Sequence, residues 1–302
     1  MDMTERRVKS NGIELWTESF GDPGAPPILL VMGASAQAHG WPEAFIDLLV
    51  AGGRYVIRYD HRDTGQSTCF DFQKNPYTLD DLAADALGVL DAYGIARAHL
   101  VGASLGGMIC QLLSILHPER VLTLTSMVST PLRTDSNETF LQALLGQPYT
   151  GTLPPPAPRA VEMYRAVAAS PPSNRQEAIE VQMTILRALA GRAAPFDEQE
   201  IRSRVERMFD RARDYSASMN HGLVPSPTRE QAEALKRLRV PSLVIHGEDD
   251  PIFPPGHGVA QAEIIPGAKL LMIEGMGHEI PRQQYGTLVQ AILSHTGSIA
   301  TR

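Results

Sequence analysis

Cysteine is nearly absent. Cys69 and Cys110 are the whole complement, and neither stands in a C-x-x-C pair. Two such residues cannot build a disulfide framework. Long apolar runs are missing too: Ile28–Met32 and Leu270–Ile273 are strand-sized, against the ~20 residues a membrane-spanning helix needs. There is no Lys/Arg-rich block, and 27 basic against 34 acidic residues leave a net charge of −7. That balance argues against nucleic acid or an anionic membrane as partner. The first residues, Met1–Arg7, are polar and charged with no apolar stretch behind them, so no secretory signal is expected and the expected location is cytoplasmic. With 43% hydrophobic and 20% charged residues, the composition excludes a disordered chain and suits a large core.

What is present is an alternation of strand and helix patterns. Gly12–Phe20, Pro27–Met32, Tyr55–Tyr59, Ala98–Val101 and Val121–Val128 have strand character. Trp41–Val50, the segment from Leu79 to Tyr93, and Met108–Leu116 have helical spacing, with Thr78 placed to cap the second and Gly94 to end it. Such alternation implies a parallel sheet with right-handed crossovers. From about Pro131 to Thr228 strand patterns stop. A Pro-rich stretch, Pro148–Pro158, is followed by helical segments at Ala160–Ala169, Glu177–Ala190 and Glu198–Ser216. Strands return at Ser242–His246 and Lys269–Ile273, with helices at Ala260–Ile265 and Tyr285–His295. The expected organisation is one α/β core, residues 1–130 and 229–302, interrupted by a helical cap at 131–228.

Strand Ala98–Val101 runs into Gly102-Ala103-Ser104-Leu105-Gly106-Gly107 and then a helix. This is G-x-S-x-G in strand–turn–helix context. So tight a turn leaves no room for bulky side chains two residues either side of the serine, and it lifts the Ser104 hydroxyl clear of the sheet. The N–H of Leu105, at a helix N-terminus, can donate to a developing oxyanion. A serine hydroxyl is a weak nucleophile. It needs a histidine base oriented by a carboxylate, in the chain order Ser, acid, His. Of nine histidines, His278 is the one in a glycine loop after a late strand. Asp249 and Asp250 compete for the acid. Asp250 is favoured because it follows Gly247 by three and precedes Pro251, whose ring fixes the loop. A second oxyanion donor is expected from the loop after Ile28–Met32, where Gly33 permits close approach and the N–H of Ala34 is the candidate. Met32, Gly33, Ile252 and Phe253 are the candidates to line a substrate pocket. Met163, Met183, Met208, Phe209 and Met219 either line an apolar pocket or pack the cap helices. Gln37, His39 and Tyr164 are possible polar contacts, undecided by the sequence.

These segments, with the stretch Ile57–Thr68 and Gly275-Met276-Gly277-His278, resemble the α/β-hydrolase superfamily. Within it they are similar to the aclacinomycin methylesterase family of polyketide-tailoring enzymes. The resemblance implies an eight-stranded, mostly parallel sheet with a helical cap inserted after strand six. It also implies Ser104 as nucleophile, Asp250 and His278 as its partners, and Ala34 and Leu105 as oxyanion donors. Ala34 replaces an expected glycine, narrowing that side of the pocket, and Asp60 and Arg62 are expected to hold loops rather than do chemistry. The expected activity is hydrolysis of a small-molecule carboxylic ester, with no metal and no organic cofactor, by a monomer or homodimer. A lactonase, C–C bond hydrolase, aminopeptidase or perhydrolase would use the same residues. A non-catalytic receptor on this fold is the alternative outside enzymes.

Overall fold

Apolar runs of five to seven residues cannot span a domain as helices, but they fit strands buried on both faces of a sheet. In the computed structural model, which describes residues 3–297, those runs are β3 (Pro27–Val31), β4 (Tyr55–Tyr59), β5 (Ala98–Ala103), β6 (Val121–Met127), β7 (Ser242–Gly247) and β8 (Lys269–Ile273). With β1 (Met3–Ser10) and β2 (Ile13–Phe20) they make one eight-stranded sheet in the order β1-β2-β4-β3-β5-β6-β7-β8. The pairs β1–β2 and β2–β4 are antiparallel and all others are parallel.

β1 is the strand missing from the sequence pattern. Its segment Met-Thr-Glu-Arg-Arg-Val-Lys-Ser buries only Val8 and Ser10. It is an edge strand, and its charged side chains face water, which also protects the edge from pairing with another chain.

Side chains alternate across the sheet as the two-residue period requires. On β3, Leu29 and Val31 join one apolar cluster with Leu82, Ala86, Leu100 and Ile109. Ile28 and Leu30 join the opposite cluster with Phe45, Leu49, Val101, Leu288 and Ile292. The first face is covered by α2 (Leu79–Ala92) and α3 (Leu105–Leu116), the second by α1 (Glu43–Ala51) and α10 (Tyr285–Gly297). Helix α2 starts in a capping box formed by Thr78 and Asp81 and stops before Gly94 at φ +67°.

Between β6 and β7 the chain leaves the sheet. It forms α4 (Ser136–Leu145), α5 (Pro158–Ala169), α6 (Arg175–Leu189) and α7 (Glu198–Arg211), then a 3-10 segment at Ser216–Leu223. It returns through α8 (Arg229–Leu235), and α9 (Gly256–Ile264) joins β7 to β8. Helices α4 and α8 were absent from the sequence pattern: α4 leaves Leu141 and Leu145 exposed, which blurs its apolar stripe, and α8 has seven residues. Ile179, Met183, Ile201 and Val205 form a separate apolar cluster within the excursion, with Phe209 against it. Among the described residues no helix is long and apolar enough to cross a membrane.

Candidate active site

Ser104, Asp250 and His278 follow the carboxyl ends of β5, β7 and β8, and Ala34 follows that of β3. In a sheet ordered β3-β5-β6-β7-β8 this gathers all four on one edge, where open α/β sheets bind ligands.

Ser104 sits at φ 54°, ψ −121°, a conformation costing about 1–3 kcal/mol for a residue with a Cβ. The surroundings hold it there. Its N–H donates to the Met127 carbonyl at 2.9 Å, and its carbonyl accepts from the Gly107 N–H at 2.9 Å and the Ser129 hydroxyl at 2.7 Å. The flanking glycines are required sterically. A Cβ on Gly102 would lie 2.2 Å from the Gly106 carbonyl oxygen, and one on Gly106 would lie 2.1 Å from that of Val31. The sequence pattern started this helix at Met108, because Gly106-Gly107 reads as turn; in fact α3 begins at Leu105. As the first helical residue, Leu105 has an N–H with no partner inside the helix.

His278 Nε2 lies 3.0 Å from Ser104 Oγ, and His278 Nδ1 lies 2.8 Å from Asp250 Oδ2. A carboxylate only accepts, so Nδ1 carries the proton and Nε2 is free to accept from the serine hydroxyl. The other Asp250 oxygen accepts from the Ile252 and Phe253 N–H groups at 2.9 and 3.0 Å. Burial pushes the Asp250 carboxyl up, but His278, His246 and the Phe253 N–H outweigh it and leave the pKa below its ordinary value. Asp249 is committed elsewhere: it accepts from the Arg192 N–H at 3.1 Å and pairs with the Arg192 guanidinium. The His278 loop is itself held by the excursion, since the His278 N–H donates to the Leu189 carbonyl at 2.9 Å.

A Cβ on Gly33 would come within 3.2 Å of Ser104 Cβ, so this glycine lets the loop after β3 close over the serine. Met32 packs on Gly40, and its carbonyl accepts from His61 Nε2 at 2.8 Å. Phe253 meets the His278 ring edge-on at 5.7 Å, and with Ile252 it lines a cleft that includes Phe140, Tyr149 and Arg133. Of the undecided polar residues, Gln37 is taken up by Met208 and Arg211, and His39 lies against Trp16. Tyr164 lies edge-on to Phe140. Met183 packs between helices, while Met219 is 65% exposed. Asp60 accepts from the Ala38 and Gln66 N–H groups, and Arg62 pairs with the buried Asp85. Cys110 is fully buried, and burial pushes its thiol up.

A strained serine between two sterically required glycines, a histidine within reach of it and a buried carboxylate behind the histidine are the constellation of a hydrolase. Residues 26–281 match the family model for the alpha/beta hydrolase fold. The chain belongs to the α/β-hydrolase family. It is 40% identical over 294 residues to a rhodomycin D methylesterase from Streptomyces sp. (strain C5), covering 97% of this chain and 98% of the relative. It is equally similar, over the same shares, to the rhodomycin D methylesterase of Streptomyces peucetius. Among solved structures, epoxide hydrolase A from Mycobacterium thermoresistibile superposes with a TM-score of 0.73 at 19% identity over the whole of both chains. The enol-lactonase from Burkholderia xenovorans LB400 superposes with a TM-score of 0.72 at 22% identity, covering 97% of this chain and 100% of that one. At those identities the two structures speak to fold only.

Sequence reasoning missed three site-supporting groups. Arg204 on α7 forms an ion pair at 2.5 Å with Glu279, the residue after His278. Ser35, next to Ala34, has φ +60°. His221 touches that same loop at Ser35. No local pattern marks any of them, because each acts across a large sequence separation.

Proposed function

We propose that this chain is a serine carboxylic ester hydrolase in which Ser104, His278 and Asp250 act as the triad. The observation that carries the reading is the continuous hydrogen-bonded line Ser104 Oγ–His278 Nε2, His278 Nδ1–Asp250 Oδ2, at 3.0 and 2.8 Å. Ser104 Oγ attacks the ester carbonyl as His278 Nε2 takes its proton. Asp250 keeps the ring in the tautomer that can accept and stabilises the imidazolium that forms. The Ala34 and Leu105 N–H groups hold the oxyanion; removing one good donor typically costs ~10²–10³ in rate. His278 then protonates the leaving alcohol, and next activates a water that splits the acyl-enzyme, returning the proton to Ser104.

Carboxylic methyl esters of small to medium acids are the substrate class favoured, since two relatives of nearly full-length similarity are named methylesterases. Residues 131–228 act as a cap over the site, and Met32, Gly33, Ile252 and Phe253 contact the ester. The substrate is a cytoplasmic small molecule. A panel of p-nitrophenyl esters of rising acyl length, run beside bulky aromatic methyl esters and lactones, tests the reading. Turnover of esters that vanishes in Ser104→Ala is expected; binding without turnover, or full activity in Ser104→Ala, would overturn it.

A further inference from the structure

The loop after β3 carries a long turn hydrogen bond of its own, from the Ala36 N–H to the Gly33 carbonyl at 3.4 Å, and is braced from outside. Ser35 lies in the left-handed region at φ +60°, which a residue with a Cβ adopts only when its neighbours enforce it. Two contacts to Ser35 itself hold it there, and both come from the 3-10 segment Ser216–Leu223 of the excursion. The Ser35 N–H donates to His221 Nδ1 at 2.9 Å, and the Ser35 hydroxyl donates to the Ser218 carbonyl at 2.8 Å.

The state of His221 follows from its two partners. Its Nε2 lies 2.9 Å from the Arg62 carbonyl oxygen, which can only accept, so Nε2 carries the proton. Its Nδ1 faces an N–H, which can only donate, so Nδ1 is bare. Only the neutral Nε2–H tautomer satisfies both. The surroundings favour that form: His221 is 4% exposed, the cationic Arg62 lies nearby, and His61 and Tyr77 meet its ring edge-on at 5.6 and 6.5 Å. The neighbouring Asn220 is fixed as well, donating to Asp63 Oδ2 and the Phe70 carbonyl.

The geometry points to His221 as a positioning residue for the oxyanion hole, acting through the Ala34–Ser35 peptide. This rests on the ester hydrolase reading, with Ala34 as a donor. In a trans peptide N–H and C=O point in opposite directions. Holding the Ser35 N–H on His221 therefore fixes the Ala34 carbonyl on the other side and prevents that peptide from flipping. The adjoining Gly33–Ala34 peptide, which carries the Ala34 N–H, has its carbonyl on the Ala36 N–H at 3.4 Å, a turn around Ala34 and Ser35 that the His221 contact braces from outside. Gln37 adds a further tie two residues on, donating to the Met208 carbonyl at 2.7 Å and accepting from Arg211 at 2.6 Å. The oxyanion loop is thus shaped by the excursion, so a displaced cap leaves the hole unformed.

Two near-isosteric substitutions separate positioning from packing. In His221→Asn the side-chain oxygen can accept from the Ser35 N–H while the Arg62 contact is lost. In His221→Gln the longer amide can reach the Arg62 carbonyl while the acceptor for Ser35 is lost. Steady-state kinetics on p-nitrophenyl butyrate should show His221→Gln reduced in kcat by roughly 10²-fold, as for a lost oxyanion donor, with KM within about twofold. His221→Asn should stay within about tenfold of the parent. Affinity for an alkyl boronic acid, which mimics the tetrahedral intermediate, should follow kcat. A kcat in His221→Gln equal to that of the parent, or His221→Gln as active as His221→Asn or more so, would overturn the role. An inactive parent would instead count against the ester hydrolase reading itself.

Discussion

Replacing Gly106 by alanine adds one methyl group at the point where α3 begins against the end of β3. The added Cβ would lie 2.1 Å from the Val31 carbonyl oxygen and 2.6 Å from that of Met32, where ordinary contact begins at 3.4 Å. Both obstacles are backbone, so no rotamer change relieves them. The start of α3 and the end of β3 must part by about 1.3 Å. Alanine is the better helix former by about 1 kcal/mol, but overpacking of this kind costs about 1–3 kcal/mol, so net destabilisation is expected. The effect on rate should be larger. Leu105 N–H rides on α3 and Ala34 N–H on the loop after β3, so the added methyl separates the two proposed oxyanion donors. A misplacement of ~1 Å costs on the order of 10²-fold in rate. Steady-state kinetics on p-nitrophenyl butyrate should therefore show kcat down about 10²-fold with KM little changed, alongside a modestly lowered melting temperature. Gly286→Ala serves as the control, because a Cβ there meets nothing within 4 Å; it should leave kcat unchanged. A Gly106→Ala protein with the parent's kcat would refute the assignment of both N–H groups to one hole.

Other perturbations probe different parts. Asp250→Asn keeps the shape of the side chain but favours the wrong His278 tautomer, and kcat should fall by about 10⁴, as in other serine triads; stopped assays at high enzyme concentration can measure it. Breaking the Arg204–Glu279 pair by Arg204→Met leaves a half-buried carboxylate without its partner, because the two side chains are 13% and 16% exposed. Urea denaturation should show a loss of about 1–3 kcal/mol, partly restored in Arg204→Met/Glu279→Gln. Burial lowers the His221 pKa from 6.5 to about 4. The unfolded chain therefore binds the proton more readily, and the stabilising contribution present above about pH 6.5 is lost as pH falls towards 4. That window is worth about 3 kcal/mol, so urea denaturation across it should give a flatter pH dependence in His221→Asn than in the parent.

The candidate triad was legible because its constraints are local. Gly102 and Gly106 announce the turn at Ser104, and Gly277 announces the tight loop at His278, where a Cβ would lie 2.2 Å from the Leu189 carbonyl oxygen. The central parallel strands were legible because burial on both faces leaves uninterrupted apolar runs, and the edge strand β8, half exposed, because its Leu-Leu-Met-Ile run is apolar all the same. β1 was not, since its charged, mostly exposed residues carry no such run. The helical pattern was legible only from Met108, because Gly106-Gly107 looks like a turn and is instead the close approach of a helix to a strand. The supports of the site lay beyond any pattern. His221 reaches Ser35 across 186 residues and Arg204 reaches Glu279 across 75, and nothing near either position in the chain announces its partner.

The proposed chemistry stands or falls on a covalent intermediate at Ser104. Protein quenched in acid during turnover of p-nitrophenyl butyrate and analysed by intact-mass and peptide mass spectrometry should carry one butyryl group, on the peptide containing Ser104. The adduct should be absent from Ser104→Ala. An active enzyme that carries no acyl group under these conditions, or carries it on another residue, would contradict the mechanism.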